Sequence, residues 1–282
     1  MGAGQYRFTF RHKVAVDVGT FRIRVALEES RLLESSSRSA LHAGVIVNAG
    51  EAVTALEPLL AGARTFGVVR PHVLACAPSD VSVAERERLV TTLVRAGAAS
   101  VVVVPEPLAA AIGAEMDVSC PYGQMVIDIG EGVTDCAVMR SSRVIASCAV
   151  RTGCAALRRS VATTCGCGVE GAEIRLRMQG VRLRDQRLDA VPSRYREAVS
   201  AAMVSIDAMV SGFLRDMPAR IGAEVIDSGI VVTGGGALLP GMADYLENLT
   251  GIRVTAAPRP LTAVVRGAQA MLPVVTALNQ WS

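Results

Sequence analysis

Two short segments of this chain carry the residue types of an anion- and metal-binding turn. Residues 125–138 read MVIDIGEGVTDCAV: an apolar run delivers Asp128, Gly130 and Gly132 bracket Glu131, and Thr134 and Asp135 follow. Residues 14–20, VAVDVGT, repeat the design, with Asp17 lying 111 positions before Asp128, then Gly19 and Thr20. Alternation follows this copy too: Ile23, Val25 and Leu27 against Arg22, Arg24 and Ala26. Each copy reads as strand, tight turn, strand. Glycine-rich turns offer backbone N–H groups to an anion such as phosphate. Two apical carboxylates suit a hydrated Mg²⁺ held between them. Ordinary acid-glycine hairpins are the plainer alternative, but the recurrence suggests a duplicated architecture and a clamp.

A third glycine turn joins them. Residues 230–236, IVVTGGG, run from a strand into Gly234, Gly235 and Gly236 and then toward a helix. Backbone free of side chains lets a flat ligand or a phosphate pack against the chain there.

These turns need a scaffold, and the composition supplies one. Of 282 residues 51% are hydrophobic but only 4% aromatic, so the core is aliphatic and suits an α/β architecture. The net charge is +3, and Lys13 is the sole lysine among 29 basic residues. The arginines are scattered rather than blocked, which excludes a nucleic-acid tail and points to coding bias. Seven cysteines, an odd number, give no disulfide framework. Cys165 and Cys167 lack a second pair at zinc spacing, and His12, His42 and His72 are not paired as ligands. No signal peptide and no apolar run of membrane-spanning length is legible, so a cytoplasmic location is expected.

Along the chain, residues 1–13 alternate Tyr6, Phe8 and Phe10 with Arg7, Thr9 and Arg11. An edge strand is the favoured reading, and a basic-aromatic membrane anchor is the alternative. The serine-rich segment 29–43 reads as a loop. Helices are expected over 52–63, 82–96 (Ser82 and Glu85 forming a capping box), 108–114, 154–164, 170–178, 193–217, 241–250 and 261–272. Strands are expected over 44–47, 72–77, 100–104, 143–150, 228–233 and 254–257. Segment 182–192 reads as a polar loop or edge strand. Phe66 falls in the connection 64–70. Alternating β and α units with short loops mean a mainly parallel sheet with crossover helices.

The order DxGT, EPxAAAIG, DIGxGxT, TGGGALLPG resembles the actin-like ATPase superfamily, and within it the MreB/Mbl family of bacterial actin homologues. The segments EPLAAAIGA (106–114), VVTGGGALL (231–239) and PLTAVVRGA (260–268) carry the likeness, which extends over almost the whole chain. The resemblance implies two RNase H-like domains flanking a nucleotide cleft that holds ATP and Mg²⁺. Domain I would be 1–121 with 262–282, its small subdomain reduced to about 29–43. Domain II would be 122–261, with a small subdomain at about 157–224. Asp17 and Asp128 would organise the metal, and Asp128 and Glu106 would serve catalysis, Glu106 by orienting the attacking water. Gly19, Thr20, Gly130, Glu131, Gly132 and Thr134 would meet the phosphates, and Gly234, Gly235 and Gly236 the adenosine. A plain role for Glu106 at a helix N-terminus stays open.

The resemblance also implies self-association into filaments, cell-shape or wall-synthesis partners, and peripheral contact with the inner face of the membrane through Phe66, unless that ring is tucked into the core. A monomeric chaperone-like ATPase of the ethanolamine-utilisation type and a non-hydrolysing scaffold are the alternatives. Four departures bear on them. Phe21, Arg22 and Ile23 replace the small polar end of the first phosphate loop, with Arg22 or Arg24 available to supply charge. Glu131 adds a second acid near the phosphates. Leu176 and Met178 stand where a lysine and a ribose-contacting glutamate are expected. The small subdomain is cut short.

Overall fold

The computed structural model describes residues 12–28, 31–37, 39–181, 191–278 and 281. The expected N-terminal aromatic strand or anchor lies outside the described residues, as does most of segment 182–192.

Two five-stranded sheets are built to one plan. The first takes β1 (Lys13–Val18), β2 (Arg22–Glu28), β3 (Arg31–Ser36), β6 (His72–Ala77) and β7 (Ser100–Pro105) in the order β3-β2-β1-β6-β7. The second takes β8 (Gln124–Ile129), β9 (Thr134–Arg140), β10 (Arg143–Val150), β11 (Ile230–Thr233) and β12 (Val254–Ala256) in the order β10-β9-β8-β11-β12. In each, an antiparallel three-strand meander continues into two parallel strands. The duplication suggested by the two hairpins therefore extends to the whole sheet. A small hairpin, β4 (Leu41–His42) with β5 (Val45–Ile46), caps the first sheet.

Period-two alternation gives every central strand two buried faces. On β1, Val14 and Val16 pack beneath α1 (Ala49–Ala61) and α2 (Val83–Arg95), while Ala15 faces the other way. On β8, Met125 and Ile127 pack against α4 (Cys154–Cys165), α6 (Ser193–Arg215) and α8 (Met242–Thr250), while Val126 faces away. The faces carrying Ala15 and Val126 share a third core between the sheets. It is filled by α3 (Glu106–Gly113) and α9 (Ala263–Ala277) through Ala109, Ala110, Val264, Val265 and Ala268. Local signals start the helices: Asn48 caps α1, and Ser82 with Glu85 closes the capping box of α2. α5 (Gly168–Gln179) and α7 (Ala219–Ser228) complete the second half.

Three expectations need correction. Segment 29–43 is not a loop or a subdomain remnant throughout, because residues 31–36 form β3 and pair with β2 along the main sheet. α9 runs on through Pro273 instead of stopping before it. An apolar stretch of membrane-spanning length does exist: α6 has 23 residues and sufficient mean hydropathy. Its Tyr195, Val199, Met203, Ile206 and Val210 are nevertheless buried in the second core. α7 was not foreseen at all.

α3 and α9 cross at backbone contact. A Cβ on Gly113 would lie 1.7 Å from the carbonyl oxygen of Ala263, and one on Gly267 would lie 1.8 Å from that of Ala109. The glycines in the EPLAAAIGA and PLTAVVRGA motifs thus set the spacing of the two helices between the sheets. Gly267→Ala must push them apart. It is expected to cost about 1–3 kcal/mol as an overpacked contact, read as a lower urea midpoint. An unchanged midpoint would show that the crossing is not this tight in solution.

Candidate functional site

The carboxyl ends of the parallel strands of both sheets open on one cleft, the position where open α/β sheets take ligands. Its cavity is about 760 Å³ and is lined from both halves. Asp17 lies two residues beyond Ala15 and Asp128 two beyond Val126, so each continues the inter-sheet face to the cleft floor. Both are buried, each 6% exposed.

Strand register sets what each acid meets. Asp17 pairs directly with Arg24 of β2, and Arg24 with Glu34 of β3. Arg24 accordingly donates from Nη1 to Asp17 Oδ2 at 3.2 Å and from Nε to Glu34 Oε1 at 2.9 Å. Arg22 donates to the other Glu34 oxygen at 2.7 Å. Burial opposes ionisation of Glu34, but the bonds from both arginines outweigh it and hold its pKa below the ordinary value. In the second sheet the directly opposite residue to Asp128 is another acid, Asp135. Burial, then Asp135 and Asp17, push the Asp128 carboxyl up to about 8. Burial raises Asp135 to about 6, against the bond its carboxylate accepts from the Ser79 N–H at 2.9 Å. Glu106, in the first turn of α3, is raised well above its ordinary value by burial and then by Asp135, Asp128 and Asp17.

The turns complete the cleft. Gly130 N–H donates to the Val133 carbonyl at 2.9 Å, closing the β8–β9 turn. Glu131 forms an ion pair with Arg158 of α4, so the extra acid of the second loop is neutralised from within. Thr20 Oγ1 accepts the Gly44 N–H at 2.9 Å, and Gly132 lies against Thr20 and Ala43, so the turns of the two halves meet. Gly234 takes φ +78° with its Cα hard against Asp128 and Ile129, where a Cβ would stand 2.3 Å from Asp128 Oδ1. Gly235 and the apolar side chains of Leu176, Leu238, Leu239 and Leu261 also line the cavity.

Of the residues singled out in the sequence, Asp17, Gly19, Thr20, Glu106, Asp128, Gly130, Glu131, Gly132, Gly234 and Gly235 share this cavity. Thr134 and Gly236 do not line it. Thr134 is fully buried with its hydroxyl donating to the Thr152 carbonyl at 2.8 Å, and Gly236 packs under Ile129. Phe66 is elsewhere, 84% exposed with φ +52° on a tight turn, so the alternative of a ring tucked into the core fails. Sequence reasoning missed Glu34, Arg158, Cys154, Glu173 and Arg177. Glu173 and Arg177 form an i,i+4 pair on the cleft face of α5, a spacing that was legible. Met178, at the position where the resemblance puts a ribose-contacting glutamate, is 74% exposed and does not line the cavity.

Six carboxylates (Asp17, Glu34, Glu106, Asp128, Glu131, Glu173) and four arginines (Arg22, Arg24, Arg158, Arg177) line the cavity. The carboxylate-rich donor set fits a hard cation such as Mg²⁺. Among the described residues no three such side chains converge on one point, so the ion would keep water or ligand oxygens in its shell.

Comparison with known proteins agrees with this geometry. The family model "MreB/Mbl protein" matches residues 36–164 and 177–280. The cell shape-determining protein MreB of Pasteurella multocida is 33% identical over 223 residues, 70% of this chain and 64% of that protein's length. Mbl of Bacillus subtilis is 28% identical over 229 residues, covering 72% of this chain and 68% of Mbl. Among solved structures, MreB5 of Spiroplasma citri bound to AMPPNP superposes with TM-score 0.85 at 20% identity, covering 96% of this chain and 98% of that one. A MamK double helical filament gives 0.76 at 16% identity, over 93% and 99%. The ethanolamine utilization protein EutJ of Carboxydothermus hydrogenoformans gives 0.66 at 21%, over 91% and 88%. The fold is actin-like.

The raised acid has a consequence for stability. With a folded pKa of about 8 against an ordinary 3.8, Asp128 keeps a proton in the fold where the unfolded chain has lost it. Ligand-free stability therefore falls as pH rises from about 4 to about 8, and Asp135 adds to the fall up to about 6. Asp128→Asn is expected to raise the ligand-free melting temperature at pH 8, by about 2–4 °C for each ~1 kcal/mol of strain removed. It should also flatten the decline between about pH 6 and pH 8. A melting curve at each pH checks this, and a variant no more stable than wild type at pH 8 would contradict it.

Proposed function

The chain belongs to the MreB/Mbl family of bacterial actin-like proteins, and we propose that it binds ATP with Mg²⁺ in the cleft between its sheets and assembles into membrane-associated filaments that organise cell shape or wall synthesis. The observation that carries the proposal is the mixed lining of the cavity. The Gly234–Gly235 backbone and the apolar Leu176, Leu238, Leu239 and Leu261 share it with the glycine turns of both hairpins and their acids and arginines. A flat base with an anionic tail suits that combination.

Asp128, with Asp17 beside it, is placed to hold the Mg²⁺, which when bound supplies charge neutralisation for the phosphates. Glu106 faces the same space from the N-terminus of α3, where its carboxyl is placed to orient an attacking water. Slow ATP hydrolysis is the activity proposed. The two sheets would belong to two domains, 1–121 with 262–282 and 122–261, with 157–224 as the small subdomain of the second. A cytoplasmic location at the inner membrane face is proposed from Phe66 and Val68, 84% and 75% exposed at one turn tip. Filament formation, and cell-shape or wall-synthesis partners, are proposed from family membership.

Gly235 allows the nucleotide reading to be tested without disturbing the fold. A Cβ there meets only Cys154 Sγ, at 3.8 Å, so a larger side chain grows into the cavity. Gly235→Leu is expected to weaken ATP binding at least ~10-fold, about 1.4 kcal/mol, by calorimetric titration, with the ligand-free melting temperature little changed. Unaltered binding would place the nucleotide elsewhere.

Sedimentation tests assembly. With ATP and Mg²⁺ the protein is expected to pellet, and anionic vesicles are expected to recruit wild type more than Phe66→Ser. A protein that stays in the supernatant in every nucleotide state would favour the monomeric, chaperone-like alternative.

A further inference from the structure

The two hairpins superpose in sequence register but not in charge. Seven residues after Asp17 stands Arg24; seven residues after Asp128 stands Asp135. Each is the direct cross-strand partner of its acid. One jaw of the cleft thus carries its own counter-ion, and the other carries a second acid.

Arg24 is also held in place. Its side chain is 13% exposed and anchored at two points, Nη1 to Asp17 and Nε to Glu34. Asp17, Arg24 and Glu34 form a ladder of acid, base and acid across β1, β2 and β3, on the face that lines the cleft. Nη2 makes no hydrogen bond among the described residues, and it is the part of the guanidinium left for a ligand. Arg22 is a poorer candidate. Its side chain is 49% exposed, and it holds Glu34 from nearer the solvent. A fixed guanidinium is pre-organised for phosphate, and in a partly desolvated cleft its charge is weakly screened.

Resting on the nucleotide reading above, we propose that Arg24 is a built-in counter-cation of the cleft: it occupies the Asp17 carboxylate, leaves Mg²⁺ to the Asp128 side, and lets this chain bind ATP without a divalent cation. Arg24 is here a positioning and binding residue.

The experiment is calorimetric titration of ATP into the full chain, once with Mg²⁺ and once with EDTA. Wild type is expected to bind in both, with affinities within ~3-fold of one another. Arg24→Gln is expected to lose about 10- to 100-fold in EDTA, the scale of one charge-assisted bond, and to recover most of it with Mg²⁺. Glu34→Gln, on the edge strand, frees Arg24 and is expected to keep the cation-independent binding. Wild-type binding that is strong with Mg²⁺ and at least ~30-fold weaker in EDTA would overturn the inference while leaving the nucleotide reading intact; this comparison needs no variant to fold. Equal responses of wild type and a folded Arg24→Gln would overturn it too. Absence of ATP binding under both conditions would remove the nucleotide reading itself, and the inference with it.

Discussion

Carboxylates buried at the ends of adjacent strands repel one another, and this repulsion organises the cleft. Asp17 and Asp128 open on the cleft because the alternation that fills the inter-sheet core with Ala15 and Val126 leaves the next positions on the same faces at its floor; Glu106 joins them from the start of α3, and Asp135 lies buried across from Asp128. Burial alone disfavours their ionised forms, and their proximity adds to it. A core selected only for stability would not hold such a group. Here the cost is met partly by Arg24 and Ser79 and partly by retained protons. The remaining imbalance is a standing demand for positive charge, localised on the second sheet.

That demand has consequences only because the two sheets are held close. α3 and α9 touch at backbone distance through Gly113 and Gly267, so the inter-sheet core is thin and leaves the acids little room to separate. On the side of the cleft away from the glycine triplet, Arg151, just after β10, reaches across to the first half. It bonds Asp80 Oδ2 at 2.6 Å and the Ala43 carbonyl at 2.7 Å. The seam is thus bounded by packed helices at its base and by a charged clasp near its turns.

Much of this was legible in the sequence. The acid-tipped hairpins, the glycine triplet and the motif helices carry strong local signals, and ten of the twelve residues chosen for catalysis, metal or nucleotide line one cavity. The failures have physical causes. β3 reads RLLESS, four of six residues polar, because it is an edge strand with no fully buried position. Its pairing to β2, not its propensity, makes it a strand. Missing β3 meant missing Glu34, and without Glu34 the arginines of the first loop looked free. Thr134 and Gly236 belong to the right motifs but serve the turns from behind, the former by bonding the Thr152 carbonyl and the latter by admitting Ile129. Arg158 was invisible because its partner, Glu131, lies 27 residues away on another element.

The asymmetry between the hairpins shows how a duplicated fold divides labour. Equivalent register makes position +7 the one side chain that must lie across from each apical acid. Arginine there gives the acid a cationic partner that offsets part of its burial; aspartate adds a second acid to the burial. The same backbone therefore yields one jaw whose acid is paired and one whose acid is not. The departure of the first loop from small polar residues need not be read as decay of the site. Arg22 and Arg24 replace a solvated turn with a fixed charge ladder, and the strand that anchors the ladder occupies the segment where the family's small subdomain was expected.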